Sequence, residues 1–118
     1  MPSTGTLRVL DAATSFAVAI DRLIEQSDSQ LIEPAQLRAA ANSIGANIAE
    51  GYGKGPGGDR LRFFRIAAGS CEEALHHLRV NYRAGKVRRG TFFELSNLGI
   101  TIARMLAQLI AKQQTALS

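Results

Sequence analysis

The chain has 118 residues, of which 46% are hydrophobic and 20% charged, with 14 Lys and Arg against 10 Asp and Glu. This length suits one domain with its own core, and an ordinary apolar fraction with a net charge of +4 argues against disorder. No apolar run approaches the roughly 18 residues of a membrane span, and the single cysteine, Cys71, excludes an intramolecular disulfide, so a reducing, cytoplasmic location without a membrane is expected.

Four segments have the apolar spacing of amphipathic helices, and none alternates like a strand. Ser27-Asp28-Ser29 interrupts the pattern after the first helix, and Pro34 fits the first turn of the second. Gly51 and Gly53 are expected to cap the second helix, before a loop rich in glycine. The predicted helices are, in chain order, about 6–27, 34–50, 59–84 and 91–113.

The third predicted helix has the most regular apolar pattern, with spacings of three and four over three heptads. Its core positions are Leu61, Phe64, Ala68, Cys71, Leu75, Leu78 and Tyr82. Four long helices with short connections favour an all-α fold, an antiparallel up-down-up-down four-helix bundle that forms a single domain over residues 1–118.

Basic residues are concentrated in one segment of the chain. Residues 54–89 hold nine basic and three acidic residues, whereas residues 1–53 hold three basic and six acidic ones. The nine, which we call the basic face, are Lys54, Arg60, Arg62, Arg65, Arg79, Arg83, Lys86, Arg88 and Arg89. Arginine matches phosphate geometry and binds it without reading sequence; the other interpretation is a solvated helix surface partly paired with Glu72. No aromatic residue is interleaved with these positions along the helix, which argues against base stacking.

The third helix is apolar on more than one side. Ile66 and Val80 fall on the side that water should cover, and Phe63 and Ala67 form a further small and apolar flank. A helix with two apolar sides is usually covered on both. The pattern therefore predicts a homo-oligomer in which Phe63, Ile66, Ala67 and Val80 lie in the subunit interface.

Polar residues interrupt the apolar second helix. Asn47 lies on or beside its buried side, and Glu50 follows three residues later. Buried amides and carboxylates need hydrogen-bond partners. Asn47 and Glu50 are therefore expected to form a structural polar cluster, with contact to a partner as the alternative.

No motif in the chain supports catalysis or a cofactor. Gly53 to Gly58 matches G-x-G-x-x-G as a string, but it follows a helix where a dinucleotide site would follow a strand. Glu73 and His76 have the Glu-x-x-His spacing of di-iron bundles, which require a second such pair. Cys71 lies among core positions and is expected to act as a small buried hydrophobe. We expect no enzyme activity, no metal and no cofactor.

The segments from Ala39 to Lys54, with its Asn-Ile-Ala-Glu-Gly core, and from Arg62 to Glu73 resemble the hallmark sequences of a bacterial four-helix-bundle family, the 23S rRNA intervening-sequence proteins. The resemblance covers about Leu7 to Ile110. This family includes the accessory variability determinant of diversity-generating retroelements, which assembles as a ring of five and works with a reverse transcriptase and nucleic acid. The resemblance implies a cyclic pentamer whose basic surface includes Arg60, Arg62, Arg65, Arg79 and Arg83.

These observations lead to a non-enzymatic, homo-oligomeric accessory protein that binds RNA or DNA through the basic face. Other copies of the chain and a reverse transcriptase or another protein are the remaining expected partners. The alternative is a protein-interaction scaffold whose basic face serves contacts between subunits or with a protein partner.

Overall fold

A computed structural model describes residues 4–27 and 30–117 and contains four α-helices with no strand among them. Asp28 and Ser29, part of the predicted interruption, lie outside the described residues. The all-α class and the four helices are confirmed. The helices are α1 Thr4–Gln26, α2 Pro34–Gly53, α3 Gly58–Arg83 and α4 Arg89–Leu117.

The connections on either side of α3 explain where α2 and α3 end. Gly51 and Gly53 were expected to cap α2, but both stay helical, and the first left-handed residue after α2 is Gly55, with φ of 77°. Gly85, with φ of 76°, ends α3 in the same way. A glycine adopts this conformation without a steric penalty, so each helix continues until the chain reaches such a glycine.

One side of each helix forms a common core. Helix α1 packs against α2 and α4, and α3 packs against α2 and α4, in a body of 46 × 19 × 19 Å. The largest fully buried side chains come from all four helices, and Asn81 is the one amide among them. They are Val9, Phe16, Ile20, Leu37, Ile44, Ile48, Cys71, Leu78, Asn81, Ile102 and Leu106.

Helices α2 and α3 approach each other closely at Gly51. A Cβ at this position would lie 2.9 Å from Cβ of Phe63 and 3.2 Å from the backbone oxygen of Arg60. Farther along the same pair, the hydroxyl oxygens of Ser43 and Ser70 are 2.8 Å apart. Small residues therefore set the distance between the two helices, and this contact positions the α3 arginines relative to α2.

Asn81 joins two connections to the core. Its Nδ2 donates to the carbonyl of Ile32 (3.1 Å) and to that of His77 (2.8 Å), while its Oδ1 accepts a hydrogen bond from the Ile32 N–H at 2.6 Å. Its backbone oxygen accepts from the N–H of Lys86 at 2.8 Å. One buried residue of α3 thus holds both the α1–α2 and the α3–α4 connection.

Candidate nucleic-acid interface

The α3 arginines of the basic face form one exposed line. Arg62, Arg65, Arg79 and Arg83 are all exposed, on the part of α3 that does not enter the core. At 1.5 Å per residue the line extends over roughly 30 Å. This length could follow several phosphates of a nucleic acid backbone.

Three of these arginines form no ion pair in the part of the chain that the structure describes, and the exposed Glu72 lies two turns from both Arg65 and Arg79 on the same side of α3. Arg65, Arg79 and Arg83 form no ion pair within 4.0 Å among residues 4–27 and 30–117. Arg62 lies 3.8 Å from Asp59 and covers the ring of Phe63 at 4.5 Å. Exposed ion pairs of this kind contribute little, so the line keeps its positive charge.

Arg60 has a different role from the one the sequence predicts. Its half-buried guanidinium donates from Nε to the carbonyl of Gly51 (3.3 Å) and from an Nη to that of Tyr52 (2.8 Å), and it lies 4.7 Å from the Tyr52 ring centroid. Carbonyls at a helix C-terminus carry partial negative charge and lack intrahelical donors. Arg60 therefore caps α2, and we assign it to stability and remove it from the proposed phosphate contacts.

Lys54 lies at the same end of the molecule and remains exposed. Its Nζ is 3.6 Å from an oxygen of Glu50 and 5.7 Å from the Phe63 ring centroid. Phe63 thus has two cationic neighbours, Lys54 and Arg62. The end of the basic face near the glycine-rich loop is built around this ring.

The predicted cluster of Asn47 and Glu50 is separated in the structure. Asn47 is half-buried and its Nδ2 donates to the carbonyl (2.8 Å) and the hydroxyl (2.9 Å) of Ser43. Glu50 is exposed and pairs with Lys54. The polar network between α2 and α3 is therefore made by Asn47, Ser43 and Ser70, and the expectation of a buried carboxylate at position 50 is wrong.

The opposite end of the basic face combines cations with aromatic rings. Lys86, Arg88 and Arg89 are exposed, and the Arg89 guanidinium lies 5.3 Å from the ring centroid of Phe93. Tyr82 stacks on Phe92 at 4.1 Å, and Phe93 meets Tyr82 at 6.1 Å. The sequence pattern indicated no aromatic residue among the cations of α3, but Phe63 and Tyr82 lie in that helix, and Phe92 and Phe93 were missed because they belong to the next helix. The short connection 84–88 brings them together.

The residues expected in a subunit interface have different environments. Ile66 is 40% exposed, while Phe63 and Val80 are half-buried within the protomer. Ala67 is fully buried in the core of its own chain, so its assignment to an interface is wrong. It lies next to Ile66 along the chain, but its position on the helix faces inward.

Cys71 is buried and unsuited to nucleophilic chemistry. Its thiol donates to the carbonyl of Gly99 at 3.2 Å. Burial, and secondarily the negative charge of Glu72, raises the pKa of Cys71 from 9.0 to about 11, against an opposing backbone hydrogen bond with Ala103. The thiol is therefore protonated at neutral pH, whereas a nucleophile needs the thiolate.

Across 4–27 and 30–117, His, Cys, Asp and Glu nowhere come together in a group of three or more that could hold a metal ion. Within the same ranges, no helix has an apolar stretch long enough to cross a bilayer.

A protein-family model described as 23S rRNA-intervening sequence protein matches residues 5–108. The chain belongs to this family. The name of the family states no enzymatic activity. Among curated proteins, no sequence matches the chain.

The fold of this family member is also found in a crystal structure. The chain is similar to a protein of unknown function from the S23 ribosomal protein family of Bacteroides thetaiotaomicron VPI-5482, with 23% sequence identity and a TM-score of 0.86. The similarity covers 92% of this chain and 99% of the other. At this identity the likeness concerns the fold.

Proposed function

We propose that this intervening-sequence protein is a non-enzymatic accessory protein that binds nucleic acid through the basic face. The observation that carries the proposal is the exposed line of Arg65, Arg79 and Arg83, which has no acidic partner among the described residues. With Arg60 assigned to capping, the proposed phosphate contacts are Lys54, Arg62, Arg65, Arg79, Arg83, Lys86, Arg88 and Arg89.

The alternative is a scaffold whose basic face is used between subunits. Within the protomer, Asp21 and Glu25 contact Arg38, at 3.0 and 2.7 Å, and no described carboxylate pairs with Arg65, Arg79 or Arg83. A polyanion from outside the protein is complementary to these α3 arginines.

The proposed assembly is a cyclic homo-oligomer, a pentamer in line with the family resemblance, located in the cytoplasm. Its protomer would be an antiparallel up-down-up-down bundle, which the contacts of Gly51 with Phe63 and of Tyr82 with Phe92 support, since both join residues close to a connection. Ile66 on the outer side of α3 would lie between subunits. A reverse transcriptase as protein partner rests on the resemblance alone.

The proposal is tested with two variants that each reverse three positive charges, one in α3 and one elsewhere in the chain. Arg65, Arg79 and Arg83 are changed to Glu in one variant, and Arg8, Arg104 and Lys112, which are also exposed, are changed to Glu in the control. Both variants have the same net charge, and only the location differs. Binding to a labelled oligonucleotide is followed by fluorescence anisotropy at several salt concentrations.

We expect wild-type affinity for duplex to fall with salt at a log–log slope of roughly −0.9 per phosphate contact. The α3 variant should bind at least about tenfold more weakly and with a shallower slope, because three phosphate contacts become repulsive. The control variant should keep the wild-type slope. Equal losses in the two variants, or binding that is indifferent to salt, would contradict the proposal.

A further inference from the structure

The most exposed aromatic ring near the basic face is that of Phe93. This side chain is 44% exposed in the first turns of α4. Its ring makes edge contacts with Phe92 at 5.2 Å and with Tyr82 at 6.1 Å, and those two rings stack on each other at 4.1 Å. Phe93 is therefore a rigidly supported ring with a large part of its surface open to solvent.

One cation contacts this ring, and others follow close along the chain. The Arg89 guanidinium lies 5.3 Å from its centroid, and Arg83 follows Tyr82 at the end of α3. Lys86 and Arg88 are exposed in the connection between the two helices. The adjacent acidic residue, Glu94, is also exposed, but it lies about 100° around the helix from Phe93. An exposed apolar ring among positive charges is complementary to a ligand with both a flat apolar surface and phosphates.

We propose that Phe93 is a stacking platform for an unpaired nucleobase, so that the nucleic acid bound by the basic face contains a single-stranded segment or end. This inference rests on the proposed function and specifies its ligand. Bases within a regular duplex are stacked on each other, whereas unpaired bases are free to stack on an aromatic side chain. The phosphates on either side of the stacked base would be contacted by Arg89, which lies against the ring, and by Arg83, which follows Tyr82.

The absence of tryptophan from the chain makes the platform directly observable. In Phe93→Trp the new indole is the single tryptophan of the protein, and stacking on a base should quench its emission. We expect saturable quenching with an oligouridylate 12-mer. A blunt-ended duplex of the same length should bind through its phosphates with little quenching.

A truncation with a matched control measures the contribution of the ring. Phe93→Ala should weaken binding of the 12-mer by roughly 5- to 150-fold, the range for loss of one base–aromatic stack, and change duplex affinity by less than about twofold. The control is Ile100→Ala, because Ile100 is 40% exposed and lies two turns farther along the same side of α4. It should leave both affinities unchanged.

The possible results of these measurements distinguish a stacking platform from a subunit contact and from the absence of nucleic-acid binding. Equal effects of Phe93→Ala on single strand and duplex, or no effect on either, would overturn the stacking platform and leave the phosphate contacts in place. Dissociation of an oligomer by Phe93→Ala, seen by light scattering, would assign the ring to a subunit contact and overturn the inference. Failure of the wild-type protein to bind either nucleic acid would overturn the proposed function itself.

Discussion

The buried side-chain amide of Asn81 forms hydrogen bonds with the backbone of the connection between α1 and α2. Both backbone hydrogen-bonding groups of Ile32, a residue that is itself 39% exposed, are satisfied by this one fully buried side chain. A polar group that loses its partner on burial costs about 1–3 kcal/mol. Asn81 is therefore one of the few positions in the core where polarity, and not volume, matters most.

Replacement of Asn81 should reveal this role. Asn81→Ala is expected to lower the free energy of unfolding by about 2–4 kcal/mol, because it leaves Ile32 without partners and also opens a small cavity. Urea denaturation followed by circular dichroism measures the change. Asn81→Asp is the informative companion variant, since it keeps the shape and the acceptor but loses the donor.

The aspartate variant should also depend on pH. A carboxylate at position 81 would be buried and face the carbonyls of Ile32 and His77, so its folded-state pKa should lie above the value of about 3.9 in the unfolded chain. Its stability would then be highest below that value and decrease as pH rises through the folded pKa. A loss equal at pH 4 and pH 7 would contradict this explanation.

Sequence reasoning at the residue scale was sound for apolar positions and weaker for small and polar ones. Leu61, Phe64 and Leu78 lie at the predicted core spacings of α3 and are buried, whereas Ala68 and Tyr82, predicted beside them, are half-buried. Asn81 was missed because its partner Ile32 is 49 residues away, a separation that no local pattern reveals. Ala67 was assigned to the wrong side of α3 because an alanine is equally common on either face of a helix and carries no signal of its own.

At the scale of the elements, the contact between α2 and α3 depends on one missing side chain. Gly51 is buried in the last turns of α2, where Phe63 and the backbone of Arg60 come closest. Gly53, two residues later, has no atom within 4 Å of the place where its Cβ would be. The same substitution at the two positions thus has opposite consequences.

We expect Gly51→Ala to destabilise the protein by about 1–3 kcal/mol, because the new methyl group would force α2 and α3 apart. Gly53→Ala should be neutral or stabilising by up to about 1 kcal/mol, since alanine loses less backbone entropy in a helix than glycine. Thermal unfolding of the two variants in the same buffer makes the comparison. Equal destabilisation by both would show that the glycine-rich segment matters for its flexibility and not for close packing.

The same contact shows why helix ends are harder to predict than helices. The sequence pattern indicates α2 from Pro34 onward, and the structure agrees. Its end was placed at residue 50 because several glycines follow, but only Gly55 and Gly57 adopt positive φ. A run of glycines indicates that a turn occurs within it, and the neighbouring helix decides which glycine makes the turn.

At the scale of the whole molecule, the remaining prediction concerns self-association. Ile66 projects from the outer side of α3 and is 40% exposed in the protomer, next to the half-buried Phe63. Val18 on α1 is 44% exposed and serves as the control position for Ile66 on a different helix. Single exposed apolar residues are common, so the two positions must be compared directly.

Ile66→Glu should dissociate the proposed homo-oligomer, because a charge buried without a partner in an interface costs several kcal/mol. Val18→Glu should leave the assembly intact. Multi-angle light scattering gives the mass of each variant, and circular dichroism confirms that both remain helical. A wild-type protein that sediments as a single protomer at micromolar concentration would contradict self-association altogether.

Sequence periodicity predicts the four helices and the sides of them that enter the core, but it does not predict the contacts made on their outer surfaces. The nine cations of the basic face were correctly identified as a charge concentration, yet the role of Arg60 as a helix cap depends on a contact between two helices. Phe93 is recognised as part of the candidate site only from the contact of its ring with Tyr82, which joins α4 to α3. Positions that depend on two elements at once need the tertiary structure.

The protected thiol of Cys71 has a practical consequence. As the one cysteine of the chain, buried and with a pKa raised to about 11, it should react slowly with maleimide dyes while the protein is folded. A second cysteine introduced on the surface could therefore carry a fluorophore in the wild-type background. Energy transfer between labelled protomers would then report mixing of subunits without any change to the interior.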